Sequence, residues 1–499
     1  MKAIFEPRSV AFIGASSDLF KWGFNILHHI IERGYAGKIH PVNPNGGTWF
    51  GRKVFSDVNE IPAPVDLAII VVKDSLVLET VRKCTAKGIR AGIVITAGFS
   101  ETGAAGAALE REIVETAIRG GMRIVGPNTM GVFSAYPCIL HALMGSMPLT
   151  AGNVGLIVQS GNLGSSISYR FLRRKIGISR LVSSGNEADL TLEDFLEYLE
   201  HDPHTHVICL YVEGLRQGER FFRLARRIAK TKPIVLIKGG RTEKGAQAAL
   251  SHTGAMASND GVFSALCRQA GIIQVDTMDE MIDVAGMLLS QPLPAGSRVG
   301  ILTMGGGWGV IATDLCIREG LLVEPLGEAV IRKLDRVLPP YWSRGNPIDL
   351  VAPGNTRTVT DTVRILLEHA ALDAVLVMGL GYMFLRARRW LMSEVVPKEA
   401  AQGPAEHLMK AELEVFGLIA DLIGEFGRPI VPVVDIMAFD IPDQRGPLAC
   451  LESRGITAYP SPEPAVRALA RVTAYAKSFR EDAPEKRDRI QAGAELLRP

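Results

Sequence analysis

Ser251-His252-Thr253-Gly254-Ala255 sets one imidazole in a segment with little apolar cover, between a strand expected to end near Lys238 and a helix expected to open near Asp260. A lone histidine there is by default a solvated side chain. Gly239, Gly240, Gly245 and Gly254 loosen the surrounding backbone, and a loose arm suits a nucleophile that carries a covalent group between two places. Such a histidine presents one ring nitrogen while the other keeps its proton, so a carboxylate should fix the tautomer. Gln159-Ser160-Gly161-Asn162-Leu163-Gly164 can cradle an anion: its glycines admit close backbone approach, and the amides from Gly161 onward open a helix whose dipole favours negative charge. Gly14-Ala15-Ser16 is a second phosphate-type turn, between a buried-type strand and the amphipathic stretch holding Asn25, Ile26, Leu27 and Ile30. It is an incomplete dinucleotide fingerprint, because Ser16 and Leu19 stand two and five residues after Gly14, where glycines are required. The next strand ends in Pro41-Val42-Asn43-Pro44, without an acid for a ribose hydroxyl, which argues against NAD. His201, His204 and His206 lie close together, but the nearby proline and the lack of a cysteine or second carboxylate speak against a metal site.

These residues need a scaffold, and the apolar pattern specifies its class. Short runs rich in Val and Ile alternate with longer amphipathic stretches, the signature of parallel strands covered on both faces and hence of an α/β fold. The expected strands are Val10–Ile13, Lys38–Val42, Asp66–Val72, Ala91–Ile95 and Arg123–Val125 in a Rossmann-like unit. A second series, resembling a flavodoxin-like sheet, holds Val154–Val158, Val207–Val212 and Ile234–Ile237, with its helices ending near Ser290. Turn residues in Gln291-Pro-Leu-Pro-Ala-Gly296 mark a linker. A third domain follows, with strands at Arg298–Thr303, Asp373–Met378 and Pro429–Val434. Arg386–Gln402 reads as an inserted loop, and the charged residues from about Glu481 as a solvated tail. A chain of 499 residues, 47% hydrophobic, has length for about three domains. Its 55 basic and 53 acidic side chains nearly cancel, to a formal +2, so no broad field recruits nucleic acid or an anionic membrane. Six scattered cysteines argue against a disulfide framework and fit a reducing cytoplasm. No targeting segment or run of roughly 18 apolar residues points to a membrane.

Four motifs in order, Gly14-Ala-Ser16, Pro41-Val-Asn-Pro44, Ile95-Thr-Ala-Gly-Phe-Ser-Glu101 and Gly126-Pro-Asn128, resemble the CoA-binding domain of the ADP-forming acyl-CoA synthetases, relatives of succinyl-CoA synthetase. The likeness spans nearly the whole chain, including Gly305-Gly-Gly307 and Asn346-Pro-Ile-Asp-Leu350. It implies a Rossmann-like CoA-binding domain (1–150), a flavodoxin-like domain carrying a phosphohistidine loop (151–290), a second flavodoxin-like ligase domain (297–475) and a tail (476–499). By the same resemblance Gly14 and Ser16 meet the CoA phosphates, and Asn43, Lys73, Thr96 and Asn128 line the nucleotide and pantetheine path. Ser160, Gly161, Asn162 and Gly164 bind the phosphoryl group, His252 carries it, and Glu213, closing Leu210-Tyr-Val-Glu213, contacts the histidine; Ser183-Ser-Gly185-Asn186 matches a supporting turn. The pattern departs at Val72-Lys73-Asp74, where Val-Pro-Ala is usual, and at Asn128-Thr-Met-Gly131, where Asn-Cys-Leu-Gly is usual. The implied reaction is acid + ATP + CoA = acyl-CoA + ADP + phosphate, reversible, in a cytoplasmic hetero-oligomer. Mg-ATP or ADP is expected on a separate ATP-grasp beta subunit, since no stretch here has the length of that domain. The alternative is a non-catalytic CoA-binding regulatory subunit; the identity of the acid is open.

Overall fold

Alternation of buried apolar strands with amphipathic helices is what the computed structural model displays, over residues 1–145, 148–247, 260–350, 356–369, 371–434 and 447–481. The chain divides into two compact units, Met1–Ile282 and Asp283–Pro499. The division falls within the helix Met278–Ser290, ahead of the turn-rich Gln291–Gly296 stretch.

The first unit holds two sheets. Strands β1 (Ser9–Ile13), β2 (Lys38–Val42), a small ribbon of β3 (Thr48–Trp49) and β4 (Arg52–Lys53), then β5 (Leu67–Ile70), β6 (Ala91–Val94) and β7 (Arg123–Val125) come first. Five of them form a parallel sheet in the order β2-β1-β5-β6-β7. β1, β5 and β6 are buried at every position, because helices cover both faces. The helix Asp74–Ala86 shows how: Val77, Val81 and Cys84, spaced along one face, are fully buried, each apolar side chain contributing roughly 1.5–3 kcal/mol.

The second sheet contains β8 (Gly131–Ser134), β9 (Leu140–Leu143), β10 (Ala151–Val158), β11 (Ile178–Ser183), β12 (Val207–Val212), β13 (Ile234–Lys238) and β14 (Ile273–Val275), in the order β14-β13-β12-β10-β11-β8-β9. The hairpin β8-β9 and the strand β11 fall where the sequence pattern marks no strand. β8 runs antiparallel to β11, pairing Ser134 with Arg180 and Val132 with Val182. The chain therefore leaves one sheet at β7 and enters the other at β8 through Gly126–Met130 alone, which locks the ends of the two sheets together. Arg180 is buried at the far end of the β8-β11 pair, where it donates to Ser134 Oγ (2.8 Å) and the Tyr136 carbonyl (2.6 Å) and pairs with Asp202 (3.3 Å). A charge can be buried there because its partners are built in.

The second unit carries a parallel sheet of β15 (Val299–Thr303), β16 (Ile348–Asp349), β17 (Ala374–Leu380) and β18 (Ile430–Val434), in the order β16-β15-β17-β18. Its core includes Leu302, Val375, Val415, Phe416 and Val434. The expected loop at Arg386–Gln402 is instead the end of one helix, Tyr382–Leu391, and the start of another, Lys398–Phe426, which contains Pro404. The longer helix tolerates the lost backbone bond because Val415, Phe416, Ile419 and Leu422 anchor it. Glu412 on the same helix accepts the amides of Gly381 (2.7 Å) and Phe384 (2.6 Å), tying the two helices together. The last helix, Pro462–Glu481, continues past position 476, where a tail is expected from the sequence. Among the described residues no helix is long and apolar enough to cross a membrane.

Candidate functional site

In the first unit the carboxyl ends of both sheets open onto one cavity of about 540 Å³. Val71, Val72, Ile95, Thr96 and Ala97 reach it from the turns after β5 and β6, and Asn128 to Met130 from the β7–β8 connection. Gln159 to Asn162, Gly185 to Glu187, Gly214 and Arg216 come from the ends of β10, β11 and β12. Strand carboxyl ends are where open α/β sheets bind ligands, and here two such edges share one space. The helix Gly161–Arg173 begins at the cavity wall, with Ser160 as its N-cap, so its unpaired amides and positive dipole end face inward. Gly161 is closely packed: a Cβ there would lie 2.3 Å from Met130 Cγ, so the methionine side chain would have to move. Gly185 has φ +63° and sits so close to the β7–β8 connection that a Cβ would meet the Pro127 carbonyl at 2.3 Å.

Gln159 buckles three strand ends together. Its Oε1 accepts the amides of Glu213 (2.6 Å) and Gly214 (3.1 Å), while its Nε2 donates to the Gly214 carbonyl (2.9 Å) and to Glu187 Oε1 (3.0 Å). Glu187 also takes the Ser184 hydroxyl (2.7 Å). Its carboxyl is buried, and burial pushes it up to about 7 against the opposing pull of those two hydrogen bonds. Asn128 and Glu187 both have left-handed backbones, φ +56° and +53°, a strained conformation for residues with side chains. Asn186 joins the layers: its Nδ2 donates to Glu101 (2.6 Å), Glu110 (2.8 Å) and Ser100 Oγ (3.1 Å), and its Oδ1 accepts from Asn128 (3.2 Å). Burial opposes ionisation of Glu101, yet the bonds from Asn186 and the Gly98 amide bring its carboxyl below the ordinary range.

Of the residues singled out from the sequence, Thr96, Asn128, Ser160, Gly161 and Asn162 line this cavity. Thr96 donates to the Val72 carbonyl (2.6 Å) and accepts the Asn128 amide at its own carbonyl (2.9 Å), so it sets the path of the β7–β8 connection. Gly14, Ser16, Asn43 and Lys73 lie outside the lining. The amides of Gly14 and Ala15 both go to the Val42 carbonyl (3.0 and 3.2 Å), and the helix after this turn opens only at Trp22, so the helix end does not begin at Ser16. Asn43 donates to the Ala15 carbonyl (2.8 Å) and caps its own turn through the Asn45 amide, and Lys73 is exposed at the N-cap of Asp74–Ala86. The Gly164 amide donates to the Ser160 carbonyl (2.9 Å), closing the first helical turn, and its Cα face packs on Val158. Glu213 is buried at the end of β12 and accepts the Tyr211 hydroxyl (3.2 Å); Gly214 beside it lines the cavity. His252 lies outside the described residues. On either side of its segment Lys238 ends β13 and Asp260 opens the next helix, and Arg241 bridges to Asp260 (3.0 Å). His204 stacks on Tyr136, with ring centroids 4.0 Å apart. The titratable cavity residues not singled out in sequence are Glu187 and Arg216, and Trp22, Met144 and Gly214 also join the lining unannounced; the neighbouring Ser183-Ser-Gly185-Asn186 turn was the one available signal.

Three family models match the chain: a CoA binding domain over residues 8–135, a succinyl-CoA ligase like flavodoxin domain over 151–288 and a ligase-CoA domain over 299–410. The alpha subunit of ADP-forming acetate–CoA ligase I of Pyrococcus furiosus is 38% identical over 96% of this chain and 98% of its own length. ADP-forming acetate–CoA ligase II of Archaeoglobus fulgidus is 33% identical over 96% of this chain, which spans 67% of that longer protein. A solved acetyl-coenzyme A synthetase 1 of Ca. Korarchaeum cryptofilum, in complex with phosphate and ADP, superposes with a TM-score of 0.82 at 33% identity, covering 96% of this chain and 97% of that one.

Proposed function

Since this chain belongs to the family of alpha subunits of ADP-forming acyl-CoA ligases, we propose that it is the subunit that binds CoA, carries the phosphoryl group on His252 and joins CoA to a small carboxylic acid. The observation that carries the reading is the shared cavity, where Thr96 and Asn128 from the CoA-binding sheet face Ser160, Gly161 and Asn162 at a helix N-terminus. Phosphoryl transfer needs positioning and charge stabilisation more than covalent chemistry, and preorganised amides at a helix end supply both. In this reading the His252 imidazole takes a phosphoryl group from Mg-ATP held by a separate ATP-grasp beta subunit. The group passes to the acid as an acyl phosphate, and the CoA thiol displaces phosphate from it. Glu213 fixes the histidine tautomer in this reading, from a turn that Gln159 holds in place. Gly14, Ser16, Asn43 and Lys73 would form the outer part of the CoA path.

Incubation of the chain with its ATP-grasp partner and ATP labelled on the terminal phosphate tests this. Base-stable, acid-labile label on wild type and none on H252A is the expected result. No label on wild type, with a partner proven to bind ATP, overturns it in favour of a CoA-binding subunit without turnover.

A further inference from the structure

Joining a thiol to an acyl group releases a proton, and among the described residues the cavity wall has one carboxyl able to receive it. Among the described residues its lining contains no His, Cys, Lys or Asp; the titratable side chains there are Glu187 and Arg216, and a guanidinium cannot accept a proton. Glu187 Oε1 is committed to the wall, where it accepts Ser184 Oγ (2.7 Å) and Gln159 Nε2 (3.0 Å). Oε2 accepts no hydrogen bond from any described residue. The residue is also fixed from below: the amides of Asn186 and Ala188 on either side of it bind the carbonyls of Pro127 (2.9 Å) and Gly126 (3.2 Å), which holds its left-handed backbone in place. A carboxyl is thus strapped by one oxygen, with the other left for the cavity.

From this geometry we infer that Glu187 is the general base of acyl transfer, accepting the thiol proton of CoA on Oε2. The inference rests on the ligase reading above. As the thiol sulfur forms its bond to the acyl carbon, its proton moves to Oε2. The bond from the acyl carbon to phosphate oxygen breaks, and the proton passes from Glu187 to the departing phosphate, so thioester and hydrogen phosphate leave with charge balanced. In reverse the same carboxyl returns the proton to the thiol. Its ionisation suits the task, since burial holds it near the working pH. The groups that bias it are Glu193 on the helix Leu192–His201, which raises it, and Arg216 beyond β12, which lowers it. Glu213 lies across Gln159, and Glu101 and Glu110 lie beyond Asn186.

The test uses the assembled enzyme with acetyl phosphate and CoA, following thioester formation from pH 5.5 to 9 in wild type, E187Q and S184A. Glutamine keeps the two bonds at Oε1 and removes the base. E187Q should lose roughly 10²–10⁴-fold at pH 7 and recover about tenfold per pH unit as the free thiol ionises toward about 8.5, while wild type levels off above about 7. S184A, which removes a bond favouring the carboxylate, should keep its plateau and move its acidic limb to higher pH; this variant decides the matter if E187Q does not fold. A loss in E187Q that is the same at every pH, or an unmoved limb in S184A, overturns the assignment to Glu187. If wild type forms no thioester from acetyl phosphate, nor from a panel of small carboxylic acids supplied with ATP and CoA and a partner proven to bind ATP, the ligase reading fails instead.

Discussion

Replacing Gln159 by leucine keeps the size of the side chain and deletes every polar contact through which it joins β10 to the ends of β11 and β12. Three backbone groups lose their partner, the amides of Glu213 and Gly214 and the carbonyl of Gly214, and Glu187 loses one of its two donors. An orphaned backbone group costs about 1–3 kcal/mol. The low end applies here because the cavity admits water to this wall, so the three together come to about 3 kcal/mol. For a folding unit of this size each kcal/mol moves the midpoint by roughly 2–4 °C, so the first unit should melt roughly 6–12 °C lower. Calorimetry of the full chain reads this directly. The loss of a donor to Glu187 should also raise its ionisation above about 7, moving the acidic limb of acyl transfer upward. A variant melting within about 2 °C of wild type would refute the claim that this side chain holds the three strand ends together.

Gly161→Ala forces a Cβ to 2.3 Å from Met130 Cγ, so it should cost about 1–3 kcal/mol; adding Met130→Ala should restore most of that, and a melting double-mutant cycle without coupling would count against the contact. Asp202→Asn removes the nearer of the two carboxylates paired with buried Arg180, leaving Glu6 at 3.6 Å, and should destabilise the first unit by about 1–3 kcal/mol, read by denaturant unfolding. Burial pushes Glu412 up to about 7 from an ordinary value of 4.5, despite the amides of Phe384, Gly381 and Met383 that favour its carboxylate. The folded state therefore binds the proton more tightly than the unfolded state. The stability this gives is complete below pH 4.5, declines as pH rises to about 7 and is gone above it, a change of about 3 kcal/mol in the second unit. Glu412→Gln should flatten that decline in pH-dependent melting; an unchanged slope would place the linkage elsewhere.

What the sequence discloses is set by how locally each feature is encoded. Ala91–Val94 or Ile234–Lys238 announces itself, since a parallel strand under two layers of helices must be apolar along its whole length. β11 does not, because Ser179, Arg180 and Ser183 break the apolar run, and they are buried only because Thr205, Ser134 with Asp202, and the Met130 amide, distant in sequence, supply their respective bonds. The β8-β9 hairpin is hidden for the same reason: its pairing partner is β11. At Gly403-Pro404 the local signal says stop, and helix packing further along overrides it.

The site divides along the same line. Backbone functions were legible: Gly161 and Gly185 are glycines because another segment passes within contact distance, and a motif records that requirement position by position. Functions that depend on environment were not. Glu187 is one glutamate among many in the sequence, and nothing nearby says that its carboxyl is buried at a cavity wall or that both of its hydrogen bonds fall on one oxygen. The turn motif around it, Ser183 to Asn186, is what does the strapping, through the Ser184 hydroxyl and the Asn186 amide. A motif of small polar residues beside an unremarked acid can therefore record the acid's requirements, because the carboxyl is usable only where those bonds hold it.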